Sequence, residues 1–120
     1  MQNTIFYLST CDTCKQILKE IAADQYDFVM QDIKTAPVME KQLEALRGKS
    51  KSYEALFSKR AQLYKSMGLA SKNLEENDYK RYLLEHYTFL KRPVIVYNDH
   101  MFIGSDKAVI QSLKEILTKK

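Results

Sequence analysis

The stretch TIFYLSTCDTCKQIL, residues 4–18, decides how this chain is read. Its first part, Thr4 to Leu8, is a β-branched and aromatic run bounded by Ser9 and Thr10, which suits a short buried strand. From Thr13 the apolar residues Ile17, Leu18 and Ile21 recur at helical spacing and leave Lys15, Lys19 and Glu20 for solvent. A strand running at once into a helix places Cys11 and Cys14 across the helix N-terminus.

Outward from there, Tyr26 to Ile33 reads as a second strand, and Pro37 as the opening of a helix carrying Val38, Met39, Leu43 and Leu46 before Gly48. From about Ser52 to Leu90 the patterning is helical only. SYEALFSKRAQLYKSMGL is followed by a capping-type start at Asn73 to Glu76 and a helix with Tyr79, Tyr82, Leu83 and Leu90. Two strands close the chain, Val94 to Tyr97 and His100 to Ile103, joined by the turn pair Asn98-Asp99 into a hairpin. After Gly104 and Asp106, the residues Val109, Ile110, Leu113, Ile116 and Leu117 predict a final amphipathic helix. A β-α-β crossover needs a parallel pair and a hairpin an antiparallel one, so the expected fold is α/β with a mixed four-stranded sheet. This plan resembles the thioredoxin-like one, as a single domain over 1–120 with a helical insertion at about 40–90.

With 120 residues, 45% of them hydrophobic, the chain can bury a core without disulfides or a structural metal. No secretory n-region precedes an apolar stretch, and no apolar run approaches the roughly 18 residues of a membrane span. The expectation is a monomer of the reducing cytoplasm with no membrane contact. Nineteen Lys and Arg against fifteen Asp and Glu give +4, but the lysines are scattered among acids. Direct nucleic-acid binding, which calls for a basic stripe, is therefore discounted.

Two cysteines three residues apart cannot form a disulfide framework; in a cytosolic chain such a pair marks redox or metal chemistry. The attacking species is the thiolate, and a helix N-terminus lowers a cysteine pKa from ~8.5 to between ~3.5 and ~7.5. Unpaired first-turn N–H groups and the helix dipole supply that help at Cys11, with Lys15 adding to it and Asp12 opposing it. Cys14, one turn along, is placed to attack a mixed disulfide on Cys11. Cys11 thus reads as nucleophile and Cys14 as resolving thiol. Cys14 has a second reading as a small buried hydrophobe. A zinc site would need His86 and His100, whose spacing to the pair fits no metal motif, so no metal is expected. Arg92-Pro93 precedes the VIVY strand; a proline at a strand start tolerates its missing donor, and an X-Pro bond is where a cis peptide is found.

Three motifs in order, STCDTCK, LFSKRAQLYKSMGL and KRPVIVY, resemble those of the arsenate reductase-like (ArsC/Spx) family over nearly the whole chain. The resemblance implies a glutaredoxin-like core with a helical insertion and a cis Pro93 facing the cysteine loop. It implies that Cys11 matches the cysteine that attacks arsenate and Arg92 an arginine that holds the oxyanion. First-turn N–H groups and a planar guanidinium suit such an anion. The reductases carry a serine and an arginine where Cys14 and Lys15 stand, and their two other anion-binding arginines align with Ser58 and Ser105. The Spx-like regulators share the CxxC, and Arg60 matches a characteristic arginine of theirs. They bind the RNA polymerase α subunit through a surface whose glycine falls at Ser52 here.

Two functions follow. One is a thiol-disulfide or arsenate-reductase-like oxidoreductase with no bound cofactor, using glutathione, glutaredoxin or thioredoxin as reductant, in which Cys11 attacks, Cys14 resolves and Arg92 steadies an anion or thiolate. The other is an Spx-like redox sensor that binds the RNA polymerase α subunit. The first predicts an open pocket beside Cys11 with Arg92 reaching into it; the second predicts an exposed face around Lys59 and Arg60.

Overall fold

The β-branched and aromatic runs at either end of the chain form the strands of one sheet. In a computed structural model, which describes residues 1–119, these are β1 (Thr4–Tyr7), β2 (Val29–Asp32), β3 (Val94–Tyr97) and β4 (His100–Ile103). The strand order is β2-β1-β3-β4, with β1 parallel to β2 and antiparallel to β3, and β3 antiparallel to β4. This is the mixed four-stranded, thioredoxin-like sheet expected from the sequence. Side chains on both faces of the central strands are buried, including Ile5, Phe6, Val94 and Val96, which explains why these strands read as unbroken apolar runs.

The chain divides into two compact units, residues 1–36 with 92–120, and residues 37–91. In the first, the helices α1 (Asp12–Glu20) and α5 (Lys107–Thr118) accompany the sheet. Ile17 and Ile21 from the α1 region and Ile110, Leu113 and Leu117 from α5 pack with Ile5 and Ile95. Tyr26 donates its hydroxyl to the Leu117 carbonyl at 3.3 Å and meets Phe28 and Tyr97 ring to ring. Tyr26 and Phe28 therefore face the core from the approach to β2 and not from within it, so the second strand is shorter than the predicted Tyr26–Ile33. The first likewise stops at Tyr7, because Leu8 already begins a turn closed by the Cys11 N–H on its carbonyl.

The hairpin turn has Asn98 at φ 54°, a left-handed conformation that asparagine tolerates better than most residues. The Asn98 N–H donates to Asn3 Oδ1 at 2.7 Å.

The second unit contains α2 (Glu40–Ser50), α3 (Gln62–Ser66) and α4 (Glu76–Glu85), with short 3-10 turns between them. The continuous helical reading of Ser52 to Leu90 is corrected here. Phe57 and Leu90 pair as an isolated antiparallel bridge, flanked by Ser58 N–H to Phe89 O at 2.6 Å and Lys91 N–H to Leu56 O at 2.8 Å. The apolar spacing mimicked a helix because Leu56, Phe57, Phe89 and Leu90 are all buried, although the backbone around them is largely extended or 3-10. The Phe57 and Phe89 rings stack at 4.8 Å, with Tyr79 edge-on to Phe57 at 5.0 Å.

Pro37 does not open α2, which begins at Glu40 after an extended Met39 whose N–H is taken by Gln42 Oε1 at 3.0 Å. Met39 is exposed, while Leu43 and Leu46 are buried as predicted. The α4 start also lies beyond the predicted Asn73: Glu75 is its cap residue, and its N–H donates to Asp78 Oδ2 at 2.8 Å.

Candidate thiol-redox site

After β1 the chain turns through Ser9 and Thr10, and the Cys11 N–H closes the turn on the Leu8 carbonyl at 3.0 Å. Cys11 is the N-cap of α1, with extended backbone (φ −95°, ψ 113°), and its carbonyl accepts the Lys15 N–H at 3.1 Å. Its side chain therefore sits at the helix mouth, half-buried, where first-turn N–H groups have no helical partner. Cys14, the third helical residue, is fully buried. Both thiols are free.

The two sulfurs are driven apart in acidity. At Cys11, partial burial opposes ionisation, but the Cys14 N–H and thiol, followed by the charge and hydrogen bonding of Arg92, outweigh it and bring the pKa below the ordinary value. The Cys11 side chain makes no cap hydrogen bond to the first turn. At Cys14, burial dominates and pushes the thiol up to about 11, with Cys11 raising it further and Arg92 and the backbone at Leu8 opposing. Each proton thus has its own place: Cys11 is the readier thiolate, Cys14 the retained thiol.

Arg92 is half-buried immediately before β3, and the Arg92-Pro93 peptide bond is cis. Pro93 is buried, and its carbonyl accepts the Gly104 N–H at 2.9 Å, tying the start of β3 to the residue after β4. The structure brings Cys11, Cys14 and Arg92 together within one compact unit.

The remaining predicted residues stand apart in role. Lys15 is exposed and meets Cys11 through its backbone N–H. Lys59 is held by Glu54 at 2.6 Å and lies over the Tyr79 ring, whereas Arg60 is exposed. Ser105 is exposed just before α5, and Ser58 is engaged through its N–H in the bridge of the second unit. Among the described residues no three of His, Cys, Asp or Glu gather to hold a metal ion, and no helix is long and apolar enough to cross a membrane.

One polar residue at the site escaped the sequence reading. Asp32 ends β2, and its Oδ1 accepts the Ser9 N–H at 3.3 Å and the Lys34 N–H at 3.2 Å. Its only sequence signal was an acid at the end of a predicted strand. That it meets Ser9 follows from the parallel pairing, which sets Asp32 opposite Tyr7.

The match to known proteins follows the same frame. The family model for ArsC covers residues 6–113, from the first strand into the last helix. The chain belongs to the ArsC family. Among solved structures, an ArsC family related protein from Bacteroides fragilis superposes with a TM-score of 0.78 at 20% identity, over 94% of this chain and 98% of that one. The arsenate reductase from Vibrio cholerae gives 0.75 at 17% identity, over 95% and 97%. An arsenate reductase (ArsC) related protein from Brucella melitensis gives 0.70 at 19%, over 93% of each. At such identities the structural likeness carries the thioredoxin-like fold alone. No curated protein matches the sequence.

Proposed function

We propose that this ArsC-family chain is a thiol-disulfide oxidoreductase of the arsenate-reductase-like kind, with Cys11 as nucleophile and Cys14 as resolving thiol. The observation that carries the reading is the divergence of the two thiols, one lowered at a helix mouth beside Arg92, the other buried and raised to about 11. On a disulfide substrate, the Cys11 thiolate attacks one sulfur, the S–S bond breaks, and the first leaving thiolate departs with the bonding pair and takes a proton from water. Cys11 sulfur is then neutral. The Cys11 charge that held the Cys14 proton is gone, so Cys14 ionises more readily and attacks the Cys11 sulfur, expelling the second thiolate. The sum is two protein thiols oxidised to one disulfide and one substrate disulfide reduced to two thiols.

Arsenate fits the same sequence. The Cys11 thiolate attacks arsenic and an arsenate hydroxyl leaves as water, taking its second proton from solvent; Cys14, its own proton passed to solvent, then attacks the Cys11 sulfur. Arsenic leaves as arsenite with the electron pair of the S–As bond. In this reading Arg92, whose charge already acts on both thiols, holds the oxyanion or steadies a leaving thiolate. Glutathione, glutaredoxin or thioredoxin would return the Cys11–Cys14 disulfide to thiols.

The test is reduction of arsenate, and of a small mixed disulfide, with glutathione and glutaredoxin or with thioredoxin, using wild type, Cys11→Ser and Cys14→Ser. Turnover abolished by Cys11→Ser, with a trapped mixed disulfide in Cys14→Ser, supports the reading. Absence of turnover on either substrate with every reductant overturns it. Capture of the RNA polymerase α subunit in only one redox state would then favour the sensor.

A further inference from the structure

We propose that Asp32 is a positioning residue for the thiol chemistry: its carboxylate anchors the β1–α1 turn and thereby fixes where Cys11 stands at the mouth of α1. The inference rests on the thiol-exchange reading above and adds a group that never touches the sulfur. A nucleophile delivered by a turn is only as well placed as the turn, and Ser9 and Thr10 have no apolar side chain to pin them. Two bonds define the turn. At its far end the Cys11 N–H closes on the Leu8 carbonyl. In its middle the Ser9 N–H is held by Asp32 Oδ1 at 3.3 Å.

Asp32 is itself held firmly. It is the last residue of β2 in parallel register with Tyr7, the next N–H, that of Ile33, continues the ladder to the Tyr7 carbonyl at 2.9 Å, and the Lys34 N–H closes back on Oδ1. The Asp32 carbonyl accepts Thr35 and Ala36 N–H groups at 3.2 and 2.8 Å, which locks the chain leaving the strand. One carboxylate thus ties the exit of β2 to the exit of β1. The groups facing it are Ser9 and Lys34, and both favour its ionised form.

An anchor and a bare charge act on Cys11 in opposite directions, which makes the proposal testable. Removing a nearby negative charge alone would favour the Cys11 thiolate; loosening the turn would cost it the helix-mouth N–H and the Arg92 contact, disfavouring the thiolate. Asp32→Asn removes the charge and keeps an oxygen acceptor, whereas Asp32→Ala removes both. The experiment is the pH profile of Cys11 alkylation by iodoacetamide in full-length protein with Cys14→Ser as common background. Amide hydrogen exchange at Ser9 and Lys34 serves as a second measurement. Asp32→Ala is expected to shift the profile to higher pH and slow alkylation at pH 6 by about three- to tenfold. Its Ser9 and Lys34 amides should exchange faster while β1 and α1 amides stay protected. Asp32→Asn is expected within about twofold of the parent. Identical behaviour of the two variants, whether unshifted, faster or slower, overturns the anchor. Because alkylation needs no substrate, failure here leaves the oxidoreductase reading standing, while failure of turnover with an intact alkylation profile removes that reading alone.

Discussion

The two units use the same kinds of side chain for different ends. In residues 1–36 with 92–120, aliphatic residues on a regular sheet and two helices form the core, with Tyr26, Phe28 and Tyr97 packed against it, and the two free thiols and Arg92 lie at the start of α1 and the entry to β3. In residues 37–91, buried leucines such as Leu43, Leu46, Leu56 and Leu69 share the interior with an interlocked set of rings, Phe57, Tyr79, Tyr82 and Phe89, with Lys59 and Arg81 laid over ring faces and short helical pieces between. The lesson is that regular pairing frees a unit to present reactive groups at its ends, while irregular backbone requires interlocking rings and local hydrogen bonds to hold its shape. The carboxylate of Glu76, which takes the Tyr53 and Glu54 N–H groups at 2.8 and 3.1 Å, is one such local support.

The sharpest way to break that division is to move the chemistry. Cys11→Ser is expected to lower turnover by roughly 10³-fold or more, as for loss of any covalent nucleophile. Arg60→Ala, in the aromatic unit, should leave turnover within about twofold; a large loss there would place chemistry in the wrong unit. Next come the cores. Phe89→Ala should cost about 3–5 kcal/mol and Leu113→Ala about 2–5 kcal/mol in denaturant unfolding. Costs below 1 kcal/mol at Phe89 would mean that the stacked rings are ornament and not framework.

Smaller effects sharpen the contrast within the thiol site. Cys14 has its pKa raised from an ordinary 9.0 to about 11 on folding, so its contribution to stability is fully present below pH 9 and lost as pH rises towards 11. Wild type should therefore lose stability over that window more steeply than Cys14→Ala, as read by melting temperature in reduced protein; parallel slopes would contradict the burial of that thiol. Cys11, lowered by folding, acts in the opposite sense. Arg92→Leu removes one of the groups that favour its thiolate, and alkylation at pH 6 should slow by about three- to tenfold. The smallest effect is expected of Lys59→Ala, within the scatter of a denaturant melt, because its ion pair with Glu54 is half-exposed.

The strands and the cysteine pair were legible because their signals are local. Thr4–Tyr7 and Val94–Tyr97 are buried on both faces and so read as apolar runs, and Cys11 falls between a strand and a helix, where any such turn exposes first-turn N–H groups. The middle of the chain misled because burial has no fixed backbone. Leu90 and Phe57 keep helix-like spacing while pairing as a bridge, and Pro37, a good first helical residue in principle, lies three residues ahead of α2. Neither outcome is decided by neighbours in sequence; both depend on which distant groups satisfy the backbone.

The sequence by itself determined the sheet, its mixed pairing and the placement of two thiols at a helix start, since periodicity, β-branching and turn chemistry act over a few residues. Tertiary structure decided the rest. Only the return of the chain at residue 92 brings Arg92 to Cys11, only burial separates Cys14 from Cys11 in acidity, and only the parallel register of β2 delivers Asp32 to Ser9. The physical reason is common to all three. Desolvation, a neighbouring charge and an anchoring carboxylate act through space over a few ångströms, and positions separated by 23 or 81 residues in sequence reach that distance only once the chain has folded.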